Sequence, residues 1–404
     1  MYIKISYRTA TDPNGLARQL LADPNRFGFD LPDNALGFLF SHTTLKGFIE
    51  KEERHEQRVL MPESEQSLAS MSSGEQKKAL LRYLMDQAPD YLVLVNPFEN
   101  LDTASQKALK ELLKHTAAHC SLFHLSTRTN EFLDLQGAHY HYSDGQFKTH
   151  HDSQRVNDVP HVITDIPRPL EPWHPQHDPL VEFKGVNVSF HDKQVLHGID
   201  WCLRAGEFWQ LKGPNGSGKS TLIQLITGDS HKGYGQDLRL FGKRKGSGES
   251  VWDIKEQLGY FTPAMIQRFN GYSYAEHMLI SGLYDSVGLY LRPSDEAKRL
   301  ARAWLELLAI PNKPFKNLSM GQQRLLMTAR AMIKHPPLLL LDEPTIGLDD
   351  RSAAFFVELV NQYAHQSNSC VLFVTHHEEP GLVPKQQMEL VPTESGSMGK
   401  ITYL

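Results

Sequence analysis

The chain has 404 residues, 40% of them hydrophobic and 22% charged, with a formal net charge of −5. That length predicts two or three domains, each able to bury its own core. The acidic balance excludes a partner held by broad phosphate neutralisation, so no nucleic acid is expected. Three cysteines without close spacing (Cys120, Cys202, Cys370) exclude a disulfide scaffold and fit a reducing compartment.

Met1-Tyr-Ile-Lys-Ile-Ser6 has no signal-peptide character. No apolar run, Leu338–Leu341 included, approaches the ~18–20 residues of a membrane span. The sequence therefore predicts a soluble, cytoplasmic protein, reaching the inner face of the cell membrane only as a peripheral partner. Seventy residues precede the first motif, Met71-Ser-Ser-Gly-Glu-Gln-Lys77. Pro13-Asn-Gly15, far upstream, reads as a turn. His139, His141, His150 and His151 lack the cysteine or carboxylate spacing of a metal site and read as solvated.

Prolines at 160, 167, 169, 172, 175 and 179 interrupt every periodic pattern and predict an extended linker. The expected division is 1–150, a linker over 151–178, and 179–404. Val181–Phe190 then alternates as a strand, and Gly206–Lys212 reads as a second strand feeding a glycine-rich loop. That loop is Gly213, Pro214, Asn215, Gly216, Ser217, Gly218, Lys219, Ser220 and Thr221, which fits G-x-x-x-x-G-K-[ST]. Its glycines let backbone N–H groups wrap phosphates at a helix N-terminus, Lys219 brings a fixed charge, and the Ser220 hydroxyl reaches Mg²⁺. Leu222–Ile226 continues as the helix. Lys243-Arg244-Lys245 reads as a solvated turn.

Further on, Arg292-Pro-Ser-Asp-Glu296 starts a helix with apolar Leu300, Trp304, Leu307 and Leu308. Gly321–Lys334 has helical spacing and stops at His335-Pro-Pro337. Leu338–Leu341 reads as a parallel strand covered on both faces, ending in Asp342-Glu343. Behind a phosphate loop, Asp342 suits Mg²⁺ through water, and Glu343 suits polarisation of the attacking water.

The chain also repeats itself. Ser319, Gly321 and Gln323 answer Ser72, Gly74 and Gln76 at an offset of 319 − 72 = 247. The same offset pairs Pro336 with Pro89, Pro344 with Pro97, and Leu348-Asp349 with Leu101-Asp102. It also replaces Asp342 by Val95 and Glu343 by Asn96, and near Leu122-Phe-His-Leu-Ser-Thr127 the position of His376 holds Ser126 or Thr127. Applied to Lys219 it gives 219 − 247 = −28, so no phosphate loop of normal spacing fits in the first half. The first half should not hydrolyse nucleotide.

The ordered set resembles the ABC ATPases: phosphate loop, signature Leu318-Ser-Met-Gly-Gln322, Asp342-Glu343, Gly347-Leu-Asp-Asp350, and His376 after the strand Val371–Thr375. Gly233–Gly242, Gly246–Ile254 and Leu318–Arg324 are similar to the ModF-type tandem cassettes, associated with molybdate transport. The resemblance implies an α/β fold of two P-loop NTPase cassettes, the first truncated, the second with antiparallel and helical subdomains. It implies that Phe190 stacks on the adenine of ATP, that the signature residues Ser319, Gly321 and Gln322 grip the γ-phosphate of ATP held by a facing cassette, and that His376 senses that phosphate. It also implies a glutamine after Gly259-Tyr-Phe-Thr262 linking nucleotide to a permease; Pro263 stands there, with Gln267 as the nearest substitute.

The leading reading is Mg²⁺-dependent ATP hydrolysis energising transport of molybdate or another small ion, through a separate permease docked between Thr262 and Asn317. The alternative is a soluble tandem-cassette switch without a permease. A scaffold that binds ATP without turnover conflicts with Glu343 and His376. If the halves pair within one chain, Ser72 and Gly74 complete the single site; otherwise they survive as a helix cap and two chains pair.

Overall fold

The computed structural model describes residues 1–404 except 9, 10, 33, 56, 57, 65, 144, 150–162, 164, 192, 270, 271, 377 and 378. The chain forms two compact units, residues 1–159 with 347–351 and residues 160–346 with 352–404.

The first unit runs β1 (Tyr2–Tyr7), α1 (Pro13–Ala22), β2 (Gly37–Phe40), α2 (His42–His55), α3 (Ser73–Asp86), β3 (Tyr91–Val95), α4 (Thr103–Thr116), β4 (Ser121–Ser126), β5 (Ala138–Ser143) and β6 (Gln146–Thr149). Its sheet has the order β2-β3-β4-β1-β5-β6. The first five are parallel and β6 returns antiparallel.

The second unit opens with β7 (Val181–Phe190) and β8 (Lys193–Leu203), then β9 (Phe208–Lys212) and α5 (Lys219–Ile226). There follow β10 (Asp237–Leu240), β11 (Lys243–Arg244), α6 (Val251–Glu256), β12 (Leu258–Phe261), α7 (Ala275–Ser281), α8 (Asp295–Leu307), α9 (Met320–Met332), β13 (Leu338–Asp342), α10 (Asp350–Gln366), β14 (Cys370–Val374), β15 (Gln386–Val391) and β16 (Met398–Tyr403). Its main sheet, β12-β13-β14-β9-β15-β16, has the strand order of the first unit's sheet. The antiparallel sheet β11-β10-β7-β8 stands beside it, and α7 and α8 form the helical part. Both subdomains expected for the second cassette are present. Leu338–Leu341 are fully buried, which at roughly 1.5–3 kcal/mol per leucine makes β13 a major anchor of the sheet.

Duplication extends to backbone detail. Left-handed residues recur at the 247 offset: Ala88 and His335 (φ 48° and 49°), Asn96 and Glu343 (42° and 48°), Asn100 and Gly347 (61° and 70°). Gln76 Nε2 donates to the carbonyls of Leu68 and Met71, as Gln323 Nε2 donates to those of Phe315 and Leu318. Lys77 Nζ donates to Pro97 O at 2.8 Å, where Arg324 Nη1 donates to Pro344 O at 3.4 Å. Side-chain chemistry changed while the turns stayed.

Several expectations need correction. Pro13-Asn-Gly15 is the first turn of α1, with Pro13 at its start and the Asp12 carboxylate accepting from Asn14 N. The room denied to a phosphate loop exists, because the offset shortens upstream. Strand register equates Ile3 with Trp209 (Ile3 faces Phe123, Trp209 faces Leu372), an offset of 209 − 3 = 206. Pro13 therefore stands in the place of Lys219, and Asp12 in that of Gly218. The first unit keeps the strand–loop–helix but not its glycines or lysine.

Lys245 is not solvated: its side chain is 1% exposed and pairs with Glu249 at 3.5 Å, while Lys243 and Arg244 lie exposed on β11. His139 and His141 are half-buried, each bonded to Ser6 Oγ, at 3.1 and 3.2 Å. Among the described residues no group of three His, Cys, Asp or Glu could hold a metal; His150 and His151 lie outside those residues. The proline-rich stretch has no helix or strand over 165–179, yet Ile166 is buried and its N–H donates to Gln366 Oε1 at 2.8 Å. Most residues from 168 to 178 are exposed. No helix among the described residues is long and apolar enough to cross a membrane.

Candidate nucleotide site

In the second unit the parallel strands end together, and their C-terminal ends carry the predicted residues. β9 leads into the loop 213–218, which turns on left-handed Gly216 (φ 76°) and Gly218 (φ 97°). A side chain at Gly218 would come within 2.7 Å of Leu196 Cδ2. No side chain caps α5, so its first N–H groups are left to an anion. Lys219 is buried, and its Nζ donates to the carbonyls of Gly213 (2.7 Å) and Pro214 (3.0 Å). Ser217 Oγ is buried without a hydrogen-bond partner, Thr221 is buried, and Ser220 is exposed. A buried hydroxyl with no acceptor in the protein is costly; it fits a loop shaped to hold phosphate oxygens.

Asp342 and Glu343 follow at the end of β13. Burial, then the neighbouring Glu343, push the Asp342 carboxyl up to about 6, against Lys219 and a hydrogen bond with Thr262 that pull it down. Both charges therefore act on Asp342. Glu343 takes a left-handed backbone (φ 48°) while its N–H donates to Val374 O at 2.9 Å. Its Oε1 lies 2.6 Å from His376 Nδ1. His376 is 6% exposed, at the end of the strand beside β13. The structure thus gathers Lys219, Asp342, Glu343 and His376, the donor set that a phosphate chain with its metal needs.

Phe190 closes β7 on the antiparallel sheet; the residue is 38% exposed, and Lys232 Nζ lies 5.5 Å from its ring centroid. Ser319, Gly321 and Gln322 open α9 in a capping box: Gln322 N donates to Ser319 Oγ at 3.2 Å and Ser319 N to Gln322 Oε1 at 3.1 Å. Ser72 opens α3 likewise with Glu75, and a side chain at Gly74 would meet Ser105 Oγ at 2.8 Å. Each cap is worth about 1 kcal/mol, so these residues have structural reasons to be what they are. Pro263 opens a 3-10 turn, Pro263–Arg268, in which Gln267 is exposed.

Sequence reasoning missed Thr262, whose hydroxyl bonds Asp342; the signal was its place one residue beyond β12, at the same sheet end as Asp342. It also missed Thr345 and Glu379, which join the turns bearing Glu343 and His376.

The first unit has none of this chemistry. Asp12 puts a carboxylate on the helix N-terminus that a phosphate would occupy. Tyr7 Oη donates to Asn96 Oδ1 at 2.9 Å, so the residue in Glu343's place is already bonded. Register sets Thr127 against His376, since Leu125 O accepts from Asn96 N as Val374 O accepts from Glu343 N.

Residues 196–346 match the family model described as ABC transporter. The chain is 35% identical over 345 residues to the ABC transporter ATP-binding protein ModF of Escherichia coli K12, covering 80% of this chain and 70% of that one. An uncharacterized ABC transporter ATP-binding protein of Schizosaccharomyces pombe is 28% identical over 339 residues, covering 78% of this chain and 66% of its own length. Among solved structures, cbiO1 from Clostridium perfringens, part of the ABC transporter complex cbiONQ, aligns at 23% identity and a TM-score of 0.46, over 55% of this chain and 87% of that one. The chain belongs to the ATP-binding proteins of the ABC transporters and is an ABC ATPase.

Proposed function

We propose that the chain hydrolyses ATP with Mg²⁺ at one site per chain, built on Gly213–Thr221 with Asp342, Glu343 and His376. The observation that carries this is the convergence of Lys219, Asp342, Glu343 and His376, against Pro13, Val95, Asn96 and Thr127 in the first unit. Lys219 exchanges the carbonyls of Gly213 and Pro214 for phosphate oxygens, and the Ser217 hydroxyl gains its missing partner. Ser220 and Asp342 would hold the metal, with Thr262 orienting Asp342. A bound magnesium ion supplies charge neutralisation of the terminal phosphates. Glu343 aligns and polarises the attacking water, and His376, released from Glu343, reads the γ-phosphate. Phe190 takes the adenine ring.

On motif grounds alone, Ser72 and Gly74 supply the opposing signature within the chain, while Ser319, Gly321 and Gln322 do so if two copies pair. Ser72→Asp separates these readings because aspartate still caps a helix but repels phosphate. Loss of turnover in Ser72→Asp with none in Ser319→Asp supports pairing within the chain; the reverse result supports pairing between copies.

The cycle energises a separate membrane permease from the cytoplasmic face. Its proposed dock is the helical region, where Tyr272, Tyr274, Tyr284, Val287, Tyr290 and Leu291 are exposed, at 46–82%. Molybdate or another small ion is the cargo that the likeness to ModF-type proteins implies. Pro263 favours the second reading, a switch without a permease. Co-purification of the full chain with a membrane protein, and stimulation of its ATPase by that protein, supports transport; basal turnover unaffected by any membrane fraction supports the switch.

A further inference from the structure

Glu343 and His376 sit on two turns that are fastened at a second point. Thr345, two residues beyond Glu343, donates its hydroxyl to a carboxylate oxygen of Glu379, three residues beyond His376. Both are buried, at 2% and 7% exposure. Loops at strand ends seldom hide a carboxylate, because taking the charge out of water is costly unless it is held by hydrogen bonds. β14 ends at Val374, and Thr375 N donates to Leu211 O at 3.1 Å, so Glu379 lies past the end of that strand.

The duplicated unit supplies a comparison. At the same offsets Phe98 replaces Thr345 (345 − 247) and Asn130 replaces Glu379 (379 − 249, from the β4 register that equates Leu122 with Val371). Phe98 is 1% exposed and packs in the core. The unit without counterparts of Glu343 and His376 is also without this contact, although its turn after β3 has the same left-handed residues.

We propose that Thr345 and Glu379 form a positioning clasp for the hydrolytic pair. It keeps the loop bearing His376 against the turn bearing Glu343 when the 2.6 Å bond between those two residues opens to admit water and phosphate. The inference rests on the hydrolytic reading of Glu343 and His376 given above. Neither Thr345 nor Glu379 touches the reacting atoms, so the clasp acts on geometry, where a displacement of about 1 Å costs on the order of 10²-fold in rate. Nucleotide binding, set by Lys219, Phe190 and the loop 213–218, is untouched.

The test is kcat, KM and ATP affinity of the full chain for Thr345→Val, Glu379→Ala, Glu379→Gln and the double variant Thr345→Val/Glu379→Ala. The clasp predicts that Thr345→Val and Glu379→Ala each lose about 10–100-fold in kcat with KM and affinity within about threefold. Glu379→Gln, whose amide oxygen still accepts the Thr345 hydroxyl, recovers most of the rate, and the double variant falls no further than the worse single one. Thr345→Val, close to isosteric, carries the test if Glu379→Ala does not fold. The clasp is overturned if Glu379→Ala or Thr345→Val stays within twofold of wild type, if the loss appears in KM or affinity, or if Gln is as damaging as Ala. Glu343→Gln is measured alongside: if it retains turnover, the hydrolytic reading itself fails, whatever residue 379 does.

Discussion

Asp342 should make the protein less stable in the absence of nucleotide, and its amide should restore the loss. Its carboxyl ordinarily ionises near 3.8 and is pushed up to about 6, by burial first and by Glu343 second. A gap of about 2, at 1.36 kcal/mol each, is about 3 kcal/mol. The sign follows from proton binding: between pH 3.8 and 6 the folded chain holds a proton that the unfolded chain has released. The associated stability is present below 3.8 and lost as pH rises through 6. Asp342→Asn keeps the bond to Thr262 and removes the charge, so at pH 7.5 the second unit should gain up to about 3 kcal/mol. For a unit of about this size that is roughly 6–12 °C in melting temperature. Tryptophan fluorescence isolates the unit, because all five tryptophans (173, 201, 209, 252, 304) lie in it. The wild-type midpoint should fall between about pH 4 and 6.5 while the variant's stays level, and ATP turnover should be lost. With MgATP the order should invert, because only the carboxylate gains a metal. An Asp342→Asn protein that melts at or below wild type at pH 7.5 without nucleotide would refute the reasoning.

Three further outcomes follow. Glu343→Gln should lower turnover about 10²–10⁴-fold with ATP affinity retained, as read by steady-state hydrolysis beside equilibrium binding. Gly218→Ala, at φ 97° and 2.7 Å from Leu196 Cδ2, should destabilise the second unit by about 1–3 kcal/mol and abolish nucleotide binding, seen as loss of the ATP-induced thermal shift. In the first unit, burial pushes the His124 imidazole down to about 3, with Lys110 and Lys4 adding to it, while Tyr2 Oη lies 3.0 Å from its Nδ1. The unfolded chain takes up that proton near 6.5, so stability present above 6.5 should be lost as pH falls towards 3, by up to about 5 kcal/mol. His124→Phe should flatten this acid slope in urea titrations followed by circular dichroism; an unchanged slope would assign it to other groups.

The sequence disclosed most where an element is local and its pattern strong. Leu338–Leu341 read as a covered strand, and the helical spacing of Gly321–Lys334 with its stop at His335-Pro-Pro337 marked out α9. The 247 offset held wherever no insertion intervenes, from Ser72 to Asp102. It failed upstream because the second unit carries about 41 more residues between its phosphate loop and signature: 319 − 219 is 100, whereas 72 − 13 is 59. Only strand pairing showed that Pro13 stands where Lys219 does. Lys245 was misread because a basic run is usually solvated, and its partner Glu249 is fixed by a turn that the run itself does not encode. Thr262, Thr345 and Glu379 were illegible for a related reason. Their meaning lies in contacts across strand ends, and a lone threonine or glutamate in a loop carries no spacing that marks it.

The central claim is one competent nucleotide site per chain, in the second unit. The measurement closest to it is the number of ATP molecules held per chain by Glu343→Gln at saturating MgATP, after rapid removal of free nucleotide. The account predicts one, falling to none in Glu343→Gln/Gly218→Ala. Two per chain, or one that survives loss of Gly218, would contradict it.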